Sequence, residues 1–254
     1  MTSMISLFSY HFSPATLILF LIVALCIGLS KTGVHGAGMV AVPLLAVIFG
    51  GQLSSGIMLP MLCLADVMGV WYYHRHASWP HLRKLILWAV IGIVLGTIVG
   101  GMIDDRVFKL VMIGIIIVSI VIMIWMEQGH KEDIPDYFWF AALCGIGAGF
   151  TSMIGNLAGT FAAVYLLSMR LPKNSFIGTS AWFFMVINWM KVPFHVWWWK
   201  TITWDTFFMD LCALPVIALG AWLGIIIVKR LSEGAYRWFI IGMTVVAACF
   251  MLLT

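Results

Sequence analysis

Apolar runs long enough to cross a bilayer follow one another from one end of this chain to the other, and few folds accommodate them. A helix needs about 20 apolar residues to cross roughly 30 Å of hydrocarbon. Runs of this kind occupy 14–49, 54–73, 80–103, 107–125, 137–167, 176–196, 203–228 and 234–253. They are apolar on every face, which excludes the alternating short segments of a lipid-facing β-barrel and leaves helices. Composition agrees: with 63% hydrophobic and 9% charged residues and a mean hydropathy of +1.08, the chain lacks the polar surface a soluble domain of 254 residues needs. The expectation is an all-α integral membrane protein, multi-pass in a cell membrane, with one transmembrane domain over 1–254. A cleaved signal on a soluble domain is excluded because the runs never stop. The net charge of +4 is scattered, so no nucleic acid partner is expected. Cys26, Cys63, Cys144, Cys212 and Cys249 lie in apolar runs without CxxC spacing, which argues against a disulfide framework or a metal site, and no cofactor motif is present.

Two of the runs are too long. As a single helix at about 1.5 Å per residue, 14–49 would extend roughly 54 Å, and 137–167 is similar. Both hold clustered glycines, at 33, 36 and 38 and at 145, 147, 149, 155 and 159, where a membrane helix unwinds at least steric cost. Each run therefore reads as two helical pieces joined at a break.

The oddity recurs because the chain repeats itself. HGAGMVAVPLL from His35 lies over NLAGTFAAVYLL from Asn156, with Gly38 on Gly159; SGIMLPMLCLAD ending at Asp66 lies over IGTSAWFFMVIN ending at Asn188. LGTIVG from Leu95 then meets LGAWLG from Leu219, and FKLVMIG from Phe108 meets YRWFIIG from Tyr236. The expectation is a tandem duplication, repeat 1 about 14–126 and repeat 2 about 137–254, each a glycine-broken hairpin followed by three transmembrane helices. Fourfold glycine spacing, at Gly92, Gly96 and Gly100 and at Gly220 and Gly224, serves close helix packing. Loop charge sets orientation. Arg75, Arg83, Lys84, Arg170, Lys173, Lys229 and Arg230 mark cytoplasmic loops, against which Arg106, Lys109 and Lys200 stand on the other side. Reconciling these loops requires both broken runs to return to the side they entered from, which inverts one repeat relative to the other.

Inverted halves with paired broken helices point to a transporter with a midplane site. Where a helix restarts after a break, free N–H groups and the helix dipole favour an anion. Ser30, Lys31, Thr32, His35 and Gly38 in one half, with Ser152, Asn156 and Gly159 in the other, form the expected cradle; the competing reading has Lys31 snorkelling to an interface while the glycines merely pack. A charge within a span is costly, so Asp66 and Lys191 are candidate functional groups. Asp66 reads as a carrier of a coupling proton or as a structural partner of a lysine. Asn188 occupies its position in the other repeat, and Lys191 reads as a substrate ligand. Pro193 is expected to bend that helix, His195 to lie at the interface, and the tryptophans at 197–199 to form an aromatic belt.

At GLSKTGVHGAG, MLPMLCLAD, YYHRHASW, MIGNLAGT and FIGTSAWFFMVINWMKVP the chain resembles the sulfite exporter family TauE/SafE, over nearly its whole length. The resemblance implies a bacterial inner-membrane exporter of sulfite, a sulfonate or a related organosulfur anion. The partners that follow are a small anion, the lipid bilayer, protons as a coupling ion and, in a homo-oligomer, further copies of the chain. Two other classes compete. A passive anion channel would keep the site and drop the coupling; an intramembrane enzyme would need HExxH, a second mid-membrane aspartate to pair with Asp66 as a dyad, or GxSxG, and the sequence is not expected to supply any of them.

Overall fold

A computed structural model describes residues 5–34, 37–127, 138–232 and 235. It opens on a short antiparallel hairpin, β1 (Ile5–Leu7) and β2 (Tyr10–Phe12), with Ile5 opposite Phe12, and every later element among the described residues is helical. The elements are α1 (Pro14–Lys31), α2 (Ala37–Phe49), α3 (Gly51–Tyr73), α4 (Trp79–Met102), α5 (Asp105–Glu127), α6 (Phe138–Gly155), α7 (Gly159–Ser168), α8 (Lys173–Pro193), α9 (Trp204–Cys212) and α10 (Leu214–Arg230). The all-α membrane class is therefore observed. Among the described residues, Pro14–Lys31, Gly51–His76, Trp79–Met102 and Phe138–Gly155 are long and apolar enough to cross a membrane, and α9 with α10 forms a bent fifth. The eighth apolar run, and with it the pairing of Tyr236 onto Phe108, lies outside the described residues except for Ala235.

Both overlong runs break at their glycines. After α1, Gly33 takes a φ of 124°, a conformation that excludes most side chains, and packs against Val228. After α6 the corresponding turn is made by Asn156 at φ 58°, with Leu157 N–H donating to the Thr151 carbonyl at 3.1 Å; asparagine is the non-glycine residue best suited to this left-handed cap. The seventh run departs from the single span expected for 203–228. It is two helices meeting at Ala213 at an angle of 51°, because Pro215 has no N–H and suits the first turn of a new helix better than the middle of an old one. In α8, Pro193 is followed by a π-helical turn, Phe194–Trp198, in which the Trp199 N–H donates to the Phe194 carbonyl at 2.9 Å.

Contacts between loops sort the helix ends into two groups. At one end Asp105 accepts the backbone N–H groups of Gly51 and Gln52 at 2.7 and 3.1 Å, and the Trp198 and Trp199 indoles lie against Gly101 and Gly100. At the other end the Ser78 N–H donates to Thr179 at 2.8 Å and the Lys173 ammonium to the Leu231 carbonyl at 2.8 Å. The first hairpin opens toward the first group: Phe49, closing α2, has its ring 5.9 Å from Phe12, just before α1. The second opens toward the other: Phe140 near the start of α6 lies 6.2 Å from Tyr165 near the end of α7, and His81 6.4 Å from the same ring.

α3 and α8 pack together, while α4 runs along α6 and α1 along α10. Glycines make both outer seams. Any Cβ on Gly92 would collide with the Ile146 carbonyl, and any on Gly220 with the Leu25 carbonyl; Gly96 sits on Phe150 and Met153 as Gly224 sits on Leu29 and Thr32. These contacts correspond when Gly92 and Gly96 are laid on Gly220 and Gly224. That register is one helical turn away from the sequence alignment of LGTIVG on LGAWLG, because an i, i+4 glycine series matches itself after a shift of one turn.

Candidate functional site

α8 carries Asn188 and Lys191, and the π-helical turn that continues it carries His195; the intervals of three and four place them on one side, and all three are buried at 2% exposure or less. α3 lays Asp66 against the same face. Its Oδ2 accepts from the Asn188 amide at 2.6 Å, and its Oδ1 meets the Lys31 ammonium at 2.9 Å. Lys31 reaches this point from the last turn of α1, just before the break, and its ammonium also lies 4.3 Å from the centre of the Phe184 ring, a favourable position for a cation. The aspartate expected to titrate is thus paired with a lysine, and the repeat-equivalent Asp66 and Asn188 touch each other.

Lys191 is placed differently. Its ammonium donates to the Ser152 carbonyl at 3.0 Å and to Asn156 Oδ1 at 2.6 Å. Both partners belong to the end of α6 at the second break, and both are neutral. Asn156 in turn donates from its amide nitrogen to the Ser55 carbonyl at 3.0 Å and to the Ser55 hydroxyl at 3.3 Å. Among the described residues no carboxylate forms an ion pair with Lys191. Two buried lysines, one with a counter-charge and one with none among the described residues, therefore lie at the α3–α8 contact, Lys31 coming from the first break and Lys191 reaching from α8 to the second.

Several expected donors turn away. The Ser30 hydroxyl donates to the Ile27 carbonyl at 2.9 Å and Thr32 to the Gly28 carbonyl at 3.3 Å, both within their own helix. Gly38 packs against Ser30, Gly159 begins α7 with open space around its Cα, and His35 lies outside the described residues. His195 corrects the interfacial reading: it has no exposed surface, its Nδ1 is 2.8 Å from the Thr201 hydroxyl, and its ring stands edge-on to Trp199 at 4.9 Å. Trp197 and Trp198 do face outward, at 75% and 65% exposure, while Trp199 turns inward and donates to the Thr97 carbonyl at 3.2 Å. Ser55 and Thr201 escaped the sequence reading because neither carries charge. His195 did not have to, since its spacing from Asn188 and Lys191 already placed it on their face. Beyond Lys31, a cavity of about 350 Å³ opens among Tyr72, Tyr73, Lys173, Val228 and Lys229.

Helical hairpins that break inside a bundle of membrane spans, with buried cations at the breaks, mark a polytopic membrane transport protein. The sequence model of the sulfite exporter TauE/SafE family matches residues 19–251, and the chain belongs to that family of membrane transporters. No curated protein and no solved structure shows a significant match to it.

Proposed function

We propose that the protein exports a small oxyanion of sulfur, sulfite or a sulfonate, through a site between two inverted repeats, 14–126 and 137–254. The observation that carries this reading is Lys191, a fully buried ammonium whose partners are a carbonyl and an amide oxygen. Burying a cation without a counter-charge is costly, and an arriving anion supplies the missing charge. Asn156 and the turn it builds hold the ammonium at the second break, and the helix dipole at the start of α7 adds partial positive charge for the same ligand. Supporting the inversion, the two hairpins open toward opposite groups of loops, and the basic loops expected in the cytoplasm belong to one group.

Asp66 and Lys31 give the coupling. While Asp66 is ionised, Lys31 is neutralised; a proton on Asp66 dissolves the pair and frees Lys31 as a second cation. Proton and anion then bind together, and the anion passes between Lys191 and Lys31, one near each break. Counterflow in proteoliposomes tests the reading. Labelled sulfite should exchange with unlabelled sulfite or a small sulfonate, and a pH gradient should drive the flux. Exchange that ignores the gradient would indicate a passive channel of the same fold, and no exchange with any sulfur oxyanion would reject the substrate class.

A further inference from the structure

His195 is a buried polar side chain that this transport scheme leaves unused. Its ring is fixed on two sides, by Thr201 at Nδ1 and by Trp199, which is itself held by Thr97 and by Phe108 at 5.7 Å. The ring therefore has little freedom to reorient, yet among the described residues its buried Nε2 has no hydrogen-bond partner. A buried polar atom left unpaired is costly, which a protein tolerates where a ligand completes the bond.

The surrounding contacts also show where His195 belongs. Thr201, bonded to its Nδ1, packs onto Gly56, where a side chain would collide with it. The neighbouring Ser55 accepts from Asn156, Asn156 accepts from Lys191, and Lys191, in the last turn of α8, lies four residues before His195 in the π-helical turn that follows. Through these contacts the side chains that carry the unpaired nitrogen and the uncompensated ammonium belong to one cluster, in which His195, Thr201, Ser55 and Lys191 are all buried.

We propose that His195 is a second ligand of the anion, donating an Nε2–H hydrogen bond to an oxygen of the substrate held by Lys191. In this arrangement the Thr201 hydroxyl donates to Nδ1, which fixes the ring hydrogen on Nε2. A neutral donor beside a cation suits a multi-oxygen anion, because it satisfies a second oxygen without adding another buried charge. The inference rests on the anion site proposed above.

Asparagine and glutamine separate a ligand from a structural role. The asparagine amide in His195→Asn mimics the Nδ1 side and keeps the Thr201 contact, while the longer glutamine in His195→Gln places an amide nitrogen near Nε2 and keeps the donor. Sulfite affinity of the full-length protein in detergent, measured under nitrogen, should fall about tenfold in His195→Asn and no more than about threefold in His195→Gln, the scale of one hydrogen bond. Thr201→Val leaves the imidazole in place and removes the hydroxyl that sets its hydrogen. It should also weaken binding, and it carries the test if the His195 variants do not fold. Wild-type affinity in His195→Asn, equal losses in both His195 variants, or unchanged affinity in Thr201→Val would each overturn the proposal. Should Lys191→Met weaken binding while these variants do not, only the His195 assignment falls; a wild-type protein that binds no sulfite removes the anion site itself.

Discussion

Replacing Lys191 by methionine isolates the charge on which transport is proposed to depend. The substitution keeps most of the apolar stem and removes an ammonium that makes two hydrogen bonds, to Ser152 and Asn156. Two buried acceptors lose their donor, at about 1–3 kcal/mol each. Against this, an ammonium no longer has to be buried, which relieves a penalty of several kcal/mol. The terms oppose and are of similar size, so Lys191→Met should insert and remain folded. Anion binding has no such compensation. Deleting one partner of a desolvated charged contact costs about 2–4 kcal/mol, so the Kd for sulfite should rise roughly 30- to 700-fold. Lys191→Arg should recover little, since a planar guanidinium cannot place its donors as a compact ammonium does. Titration calorimetry in detergent under nitrogen, with thermal unfolding of the same samples, reads both quantities. If Lys191→Met binds sulfite as tightly as wild type, Lys191 is not a ligand and the proposed site is wrong.

Lys31 should behave in the opposite way. Lys31→Met strands Asp66 at 1% exposure and should lower stability by about 3–5 kcal/mol; adding Asp66→Asn should restore much of the loss, read by thermal unfolding. Asp66→Asn alone imitates the protonated carboxyl, so binding of a small sulfonate, which unlike sulfite does not itself titrate near neutral pH, should persist while its pH dependence disappears; a pH dependence identical to wild type would confine Asp66 to a structural role. Gly149→Ala should disrupt the α4–α6 seam, since its new methyl would collide with the Ala89 carbonyl, whereas Gly159→Ala meets open space and should express normally; equal yields of folded protein would show that the seam is not close-packed. Cysteines at the exposed Lys200 and Ser232 should react with an impermeant reagent from opposite sides of the membrane, and labelling of both from one side would defeat the inverted topology.

Much of this protein is written in one-dimensional pattern. Run length and all-round apolarity specify membrane helices, because a bilayer leaves the backbone no other way to satisfy its N–H and C=O groups, and clustered glycines in overlong runs mark the two breaks. The repeated segments even place Asp66 and Asn188 at equivalent positions, as two residues that meet. Pattern failed where alternatives are locally equivalent: glycines four apart align equally well one turn away, and Pro215 inside a uniformly apolar run does not announce a 51° bend. Partnership is beyond local sequence altogether. Lys31 and Lys191 look alike as single charges in apolar helices, and Asp66 could have neutralised either. Which one it neutralises depends on how α1, α3, α6 and α8 cross, and that crossing gives Lys31 a carboxylate at 2.9 Å and leaves Lys191 a carbonyl and an amide. A charge pair is a property of two side chains brought together from separate helices, so the difference between a neutralised lysine and one ready for an anion exists only in the folded molecule.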